Sequence, residues 1–187
     1  PFYKGLPVAV IGGGNSAAEE SIFLASLTEK VTLLVRGDQL KASQVIQEKT
    51  LRHPKIEVRF HTEVVRFDGA GGKLKAVTIR DLQSASTEVI HPAGVFVFIG
   101  LTPNTGFLNP DRIRLDRWGF VVTGHDLVHG GERPTGFETR EPGILETSAP
   151  GIFAAGDVRA GSTKQVASAA GEGATAALLI REHLKSA

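Results

Sequence analysis

Short apolar runs punctuate the first hundred residues, and the polar stretches between them change period along the way. Residues 7–11, with Val8-Ala9-Val10-Ile11, and residues 31–35, Val31-Thr32-Leu33-Leu34-Val35, are uncharged and rich in β-branched side chains. Continuous runs of this kind read as strands buried on both faces. Between them, residues 16–27 set Ala18, Ile22 and Ala25 along one stripe, which predicts a helix. Ser43 is placed to cap a second helix that runs to about Leu51, and His53-Pro54 stops it. Residues 56–60 give a third strand. The order is βαβαβ, so a parallel sheet with right-handed crossovers is expected.

The pattern then turns to alternation. Residues 63–68 and 74–80 alternate apolar and polar around Gly69-Ala70-Gly71-Gly72, a hairpin signal, and residues 87–90 supply a third arm. The expected result is an antiparallel meander laid over the sheet, a crossover without a helix. Residues 94–99 form another buried strand that ends at Gly100. The turn-rich Leu101-Thr102-Pro103-Asn104-Thr105 marks a domain boundary, dividing the chain into 1–102 and 103–187. Beyond it, a short strand is expected at 120–122 and a last strand at 152–155, closed by Gly156-Asp157. A final helix covers about 166–184. The polar, glycine-rich stretch 124–146 is long for a structureless loop. Its length and its Gly/Pro/charge content predict a surface flap or a partner contact.

Composition narrows the functions. The 187 residues are 41% hydrophobic and 22% charged, ordinary for a globular protein. A net charge of +1 provides no field to recruit nucleic acid or a membrane surface. No apolar run approaches the ~20 residues of a membrane span. The expected compartment is the cytoplasm. The absence of cysteine excludes a disulfide framework, a thiolate metal site and dithiol chemistry within this chain. Methionine is absent even at position 1, which reads as a piece cut from a longer chain.

The candidate chemistry sits at two strand ends. Gly12-Gly13-Gly14-Asn15-Ser16-Ala17 follows the first strand and opens the first helix. Gly12 permits the tight turn, Gly14 lets backbone approach a pyrophosphate, and Ala17 lets the helix lie close on the strand. Free N–H groups at the helix start then face the anion. The second strand ends Val35-Arg36-Gly37 without an acid at its tip, and Lys41 follows. A dinucleotide carrying a 2′-phosphate is therefore favoured over one lacking it. A second candidate pairs Gly156 and Asp157 with Lys164, Gln165 and Val166. A carboxylate at a strand end can hold sugar hydroxyls, and a helix start can stabilise negative charge. The six histidines are scattered, and no metal site is predicted.

These segments closely resemble the bacterial thioredoxin reductase family. The residues that carry the resemblance are Phe2-Tyr3-Lys4-Gly5, Val10 through Glu20, Gly156-Asp157-Val158-Arg159 and Lys164 through Ala174. The resemblance implies an α/β fold. A Rossmann-like NADPH-binding domain would be followed by the C-terminal part of an FAD-binding domain. It implies an enzyme that moves electrons from NADPH through FAD to a protein disulfide, as a homodimer, with a thioredoxin-like protein as partner. It places the NADPH pyrophosphate at Gly12, Gly14, Asn15 and Ser16, with Ile99 and Gly100 near the nicotinamide. It sets Asp157 on the ribityl or phosphate side of FAD, and the backbone of Gln165 and Val166 at the flavin edge. The family's redox Cys-x-x-Cys would fall just before Pro1, so no catalytic residue is assigned here. The usual basic triplet after the second strand is reduced to Arg36, with Lys41 nearby. Two alternatives stay open. One is a dithiol-free relative serving a ferredoxin- or flavodoxin-type acceptor, and the other a nucleotide-binding module without catalysis of its own.

Overall fold

The computed structural model describes residues 2–129 and 133–186, which form two compact units, residues 1–100 and 101–187. In the first unit, β1 (Val8–Ile11), β2 (Val31–Leu34), β3 (Ile56–Arg59) and β7 (Gly94–Val97) build a parallel sheet in the order β3-β2-β1-β7. Helices α1 (Asn15–Leu27) and α2 (Gln44–Arg52) connect the first three strands. Strands β4 (Thr62–Ala70), β5 (Lys73–Asp81) and β6 (Thr87–Ile90) form the antiparallel meander.

The continuous apolar strands make sense once both faces are covered. Val8, Val10, Val31 and Leu33 pack with Ala17, Leu24 and Ala25 of α1. Their alternating neighbours Ile11, Leu34 and Val95 pack with Val77 and Ile79 of the meander. The α1 stripe is centred on Ser21 and Leu24 rather than on Ile22, which is only half-buried. Ser21 tolerates full burial because its hydroxyl donates to the Ala17 carbonyl (2.7 Å). Ser43 occupies the α2 N-cap position but makes no side-chain cap bond.

The second unit differs from expectation in two places. The strands expected at 120–122 and 152–155 do not form ladders. Val121 makes isolated bridges to Leu115 and Arg159, and Phe153 makes one to Glu146. An apolar run states that its residues find neighbours, not that those neighbours are a repeated ladder. Here Ile152 is 45% exposed. The described part of the stretch 124–146 is anchored in the unit. It holds a 3₁₀ turn at Gly124–Leu127, and the side chains of Leu127 and Phe137 are fully buried. Residues 130–132 of that stretch lie outside the described residues. Val121, Ile113 and Ala149 form the apolar centre of the unit. Helix α3 (Val166–Ser186) closes the chain.

Candidate functional site

The first site is built from the turn after β1. Gly12 has φ +142°, and a Cβ there would sit 2.3 Å from the Phe98 carbonyl oxygen. No other residue fits between β1 and the chain leaving β7. At Gly14 the space on the Cβ side is open. Gly14 is the N-cap of α1, and it supplies no side-chain bond to the first-turn N–H groups. Those donors are left for an anion.

Two bonds knit this turn to the loop after β2. The Lys41 amide donates to the Gly13 carbonyl (2.6 Å), and the Ser43 amide donates to Asn15 Oδ1 (2.8 Å). The knitting brings Arg36 and Lys41 to the glycine turn. Both are exposed, and neither enters an ion pair among the described residues. The result is one groove of about 830 Å³, lined by Gly12 to Gly14, Arg36, Lys41, Val97, Ile99 and Gly100, with residues of β4 along one wall. Its volume suits an extended cofactor. Asn15 and Ser16 are exposed at the helix start but do not line the groove. Glu63 is an acid on the groove wall, held in an ion pair with Arg80.

The second cluster lies in the other unit. Gly156 has φ +78° and opens a short 3₁₀ turn, Gly156–Val158. The Gly156 amide donates to Glu172 Oε2 of α3 (2.7 Å), and the Arg159 guanidinium grips the same carboxylate at 2.6 Å. Hydrogen bonding and charge from Arg159 hold the Glu172 carboxyl below its ordinary range. Lys164 is committed to this loop. Its ammonium donates to the Asp157 and Arg159 carbonyls and to Ser162 Oγ, and it lies 3.9 Å from the Phe120 ring centroid. Burial pulls its pKa down. Asp157, Gln165 and Val166 remain exposed. The loop is thus fixed from behind and presents the exposed Asp157 side chain and the exposed start of α3.

Sequence reasoning named Lys164 but missed Glu172, the carboxylate that fixes this loop. Glu172 stands alone among Ala and Gly in α3, and a lone acid on a small-residue stripe was the available signal. Glu146 was missed as well. Its side chain is 3% exposed, and it accepts bonds from Arg140 at 2.7 and 2.8 Å and from the Gly143 and Gly151 amides. Burial pushes its carboxyl up, but these donors outweigh burial and hold it at about 2. Among the described residues, no group of three or more His, Cys, Asp or Glu side chains is arranged to hold a metal ion. No described helix is long and apolar enough to cross a membrane.

A parallel sheet whose first glycine turn opens an uncapped helix is the architecture of a nucleotide-binding α/β protein. The chain belongs to the pyridine nucleotide-disulphide oxidoreductase family, whose profile matches residues 2–173. It is 38% identical over 177 residues to a thioredoxin reductase of Treponema pallidum, covering 95% of this chain and 51% of that protein. It is 35% identical over 181 residues to one of Penicillium chrysogenum, covering 95% and 49%. The fold matches the crystal structure of thioredoxin reductase from Streptococcus pyogenes with a TM-score of 0.70 at 30% identity, over 100% of this chain and 55% of that one. The chain spans about half the length of the curated relatives it matches.

Proposed function

We propose that this chain forms the NADPH-binding domain and part of the FAD-binding domain of a thioredoxin reductase-like flavoprotein. The complete protein moves electrons from NADPH through FAD to a disulfide of a thioredoxin-like partner. It works as a homodimer in the cytoplasm. The first unit takes NADPH and the second contributes to the FAD site.

One observation carries the reading. In a chain of this family, a glycine turn that only Gly12 can make and two cations without an ion pair among the described residues line a single groove, and Gly14 at its edge is the N-cap of a helix that has no side-chain cap bond. NADPH supplies a hydride and FAD relays its electrons. The chain's own residues bind and orient. The first-turn N–H groups of α1 hold the pyrophosphate, with Asn15 and Ser16 beside it. Arg36 and Lys41 hold the 2′-phosphate. Ile99 and Gly100 flank the nicotinamide. In the second unit, Glu172 and Lys164 fix the loop that offers Asp157 to FAD hydroxyls. The start of α3 at Gln165 and Val166 faces negative charge on the flavin. With no cysteine in this chain, the reducible thiols lie outside these residues.

The test is fluorescence titration of the complete protein with NADPH and NADH, followed by turnover with FAD and a thioredoxin-type disulfide. Arg36→Ala should weaken NADPH about 10-fold and leave NADH nearly unchanged. Equal effects on both would remove the 2′-phosphate assignment. Turnover with a ferredoxin- or flavodoxin-type acceptor and none with a disulfide would overturn the acceptor but keep the cofactors.

A further inference from the structure

The groove of the first unit holds an acid as well as its two cations, and that acid has no role so far. Among the described residues that line it, Glu63 is the single carboxylate. Asp38, two residues past Arg36 in the chain, is not part of the lining.

Sheet order and loop bonding put Glu63 at one end of the groove. The strands run β3-β2-β1-β7, so the residues that follow β2 and β3 lie away from Ile99 and Gly100, which follow β7. The Thr62 amide donates to the Val35 carbonyl, and the His61 amide donates to the Gly37 carbonyl, both at 3.0 Å. These two bonds bracket Arg36 and fasten the start of β4 to the tip that carries it. Glu63 is the next residue along β4. In a nucleotide-binding sheet of this kind the tip of the second strand receives the adenosine ribose. An acid serving that ribose ordinarily sits on the tip itself. Here Arg36 has that place, and the acid arrives from the neighbouring strand.

The carboxylate is oriented without any ligand. Glu63 lies directly across from Arg80 in the β4–β5 register. Arg80 Nε donates to Glu63 Oε1 at 2.8 Å, and Arg80 Nη2 donates to the same oxygen. Among the described residues none donates to Glu63 Oε2. Arg80 does not line the groove, so the acid and not the guanidinium is presented there. With side chains 48% and 29% exposed, the Arg80–Glu63 pair contributes little stability of its own. Its effect is to fix where one oxygen of the carboxylate is held and to leave the other open.

We infer that Glu63 reads the adenosine ribose of the dinucleotide, with Arg80 as its positioning residue, so that the groove accepts NADH as well as NADPH. The inference rests on the dinucleotide reading proposed above. The 2′-hydroxyl of NADH donates to Oε2, a charge-assisted bond to a carboxylate already held in place. NADPH carries a phosphate instead of that hydroxyl. The phosphate takes Arg36 and Lys41 and is repelled by Glu63, a repulsion that Arg80 partly cancels. One end of the groove thus serves two coenzymes with different residues, the cations for one and the acid for the other.

Fluorescence titration of the complete protein with NADH and NADPH tests the inference. Glu63→Gln should weaken NADH about 10-fold and strengthen NADPH about 2-fold. Arg80→Gln should weaken NADPH, and should change neither constant once Glu63→Gln is present, because it acts through Glu63. If Glu63→Gln fails to fold, Glu63→Asp keeps the charge but shortens the reach, and NADH should weaken while NADPH holds. A ratio of dissociation constants unchanged in these variants would reduce the pair to a cross-strand contact and overturn the inference. An unaltered protein that binds NADPH but not NADH would overturn it too. Both results leave the groove reading standing, since NADPH would still depend on Arg36. That reading fails in a different way, if neither coenzyme binds or if Arg36→Ala weakens both equally, and this inference then falls with it.

Discussion

The two units of this chain achieve order by different means. In the first, four parallel strands repeat the same ladder, and the core lies on both faces of a sheet. In the second, strand pairing among the described residues is limited to isolated bridges, and the chain is gripped at a few points by buried or half-buried carboxylates. Glu146 ties Arg140 to the Gly143 and Gly151 amides. Glu172 ties Arg159 to the Gly156 amide. Repeated ladders distribute stability over many weak contacts. Point grips concentrate it, so a single protonation or substitution reaches far.

The largest effect expected from one substitution is in the first unit. Gly12→Val should cost about 4 kcal/mol or more, because the side chain collides with the Phe98 carbonyl at a positive φ. Urea unfolding followed by circular dichroism measures it. A near-native midpoint would show that the turn is less constrained than its geometry states. Leu33→Ala, fully buried in the sheet core, should cost about 3 kcal/mol. The same measurement at pH 3 and pH 7 should give the same loss, since no titrating group is involved.

Glu146→Gln should cost about 3 kcal/mol at pH 7, localised to the second unit. Because the folded carboxyl is held at about 2, below its ordinary 4.5, its stabilisation is complete above about pH 4.5. It is lost as the pH falls through about 2, a total of about 3 kcal/mol. Hydrogen exchange in acid should therefore open the second unit before the first, and Glu146→Gln should remove the acid dependence of that opening, leaving the second unit weakened at every pH. Simultaneous opening in the unaltered protein would break the contrast between ladder and grip. The smallest effect is expected for Glu172→Gln, roughly 2 kcal/mol, read as faster exchange at Gly156 with the first unit unchanged.

The contrast also governs what a sequence discloses. The sheet, the meander and the glycine turn were legible because their signals are local. Buried strands announce themselves as apolar runs, and the Gly12 turn follows directly upon one. The lining of the groove was legible for the same reason, since Gly12, Arg36 and Gly100 each follow closely on a recognisable strand. The second unit hides its order. Glu172 lies 16 residues from the Gly156 amide it holds, and 13 from Arg159. Nothing in the alternation of apolar and polar positions marks such pairs. Residues 152–155 carry the composition of a strand without its ladder, and Phe137 is buried inside a stretch whose average character is that of a loop.

The hydrogen bond from the Ser43 amide to Asn15 has a reach beyond its length. It fastens the segment bearing Lys41 to the mouth of α1, so the region that would recognise the diphosphate and the region that would distinguish one nicotinamide cofactor from another keep a fixed spacing. Asn15→Ala would loosen that spacing while leaving every cation in place. Discrimination would decline before affinity does, visible as a ratio of NADH to NADPH dissociation constants that drifts toward unity.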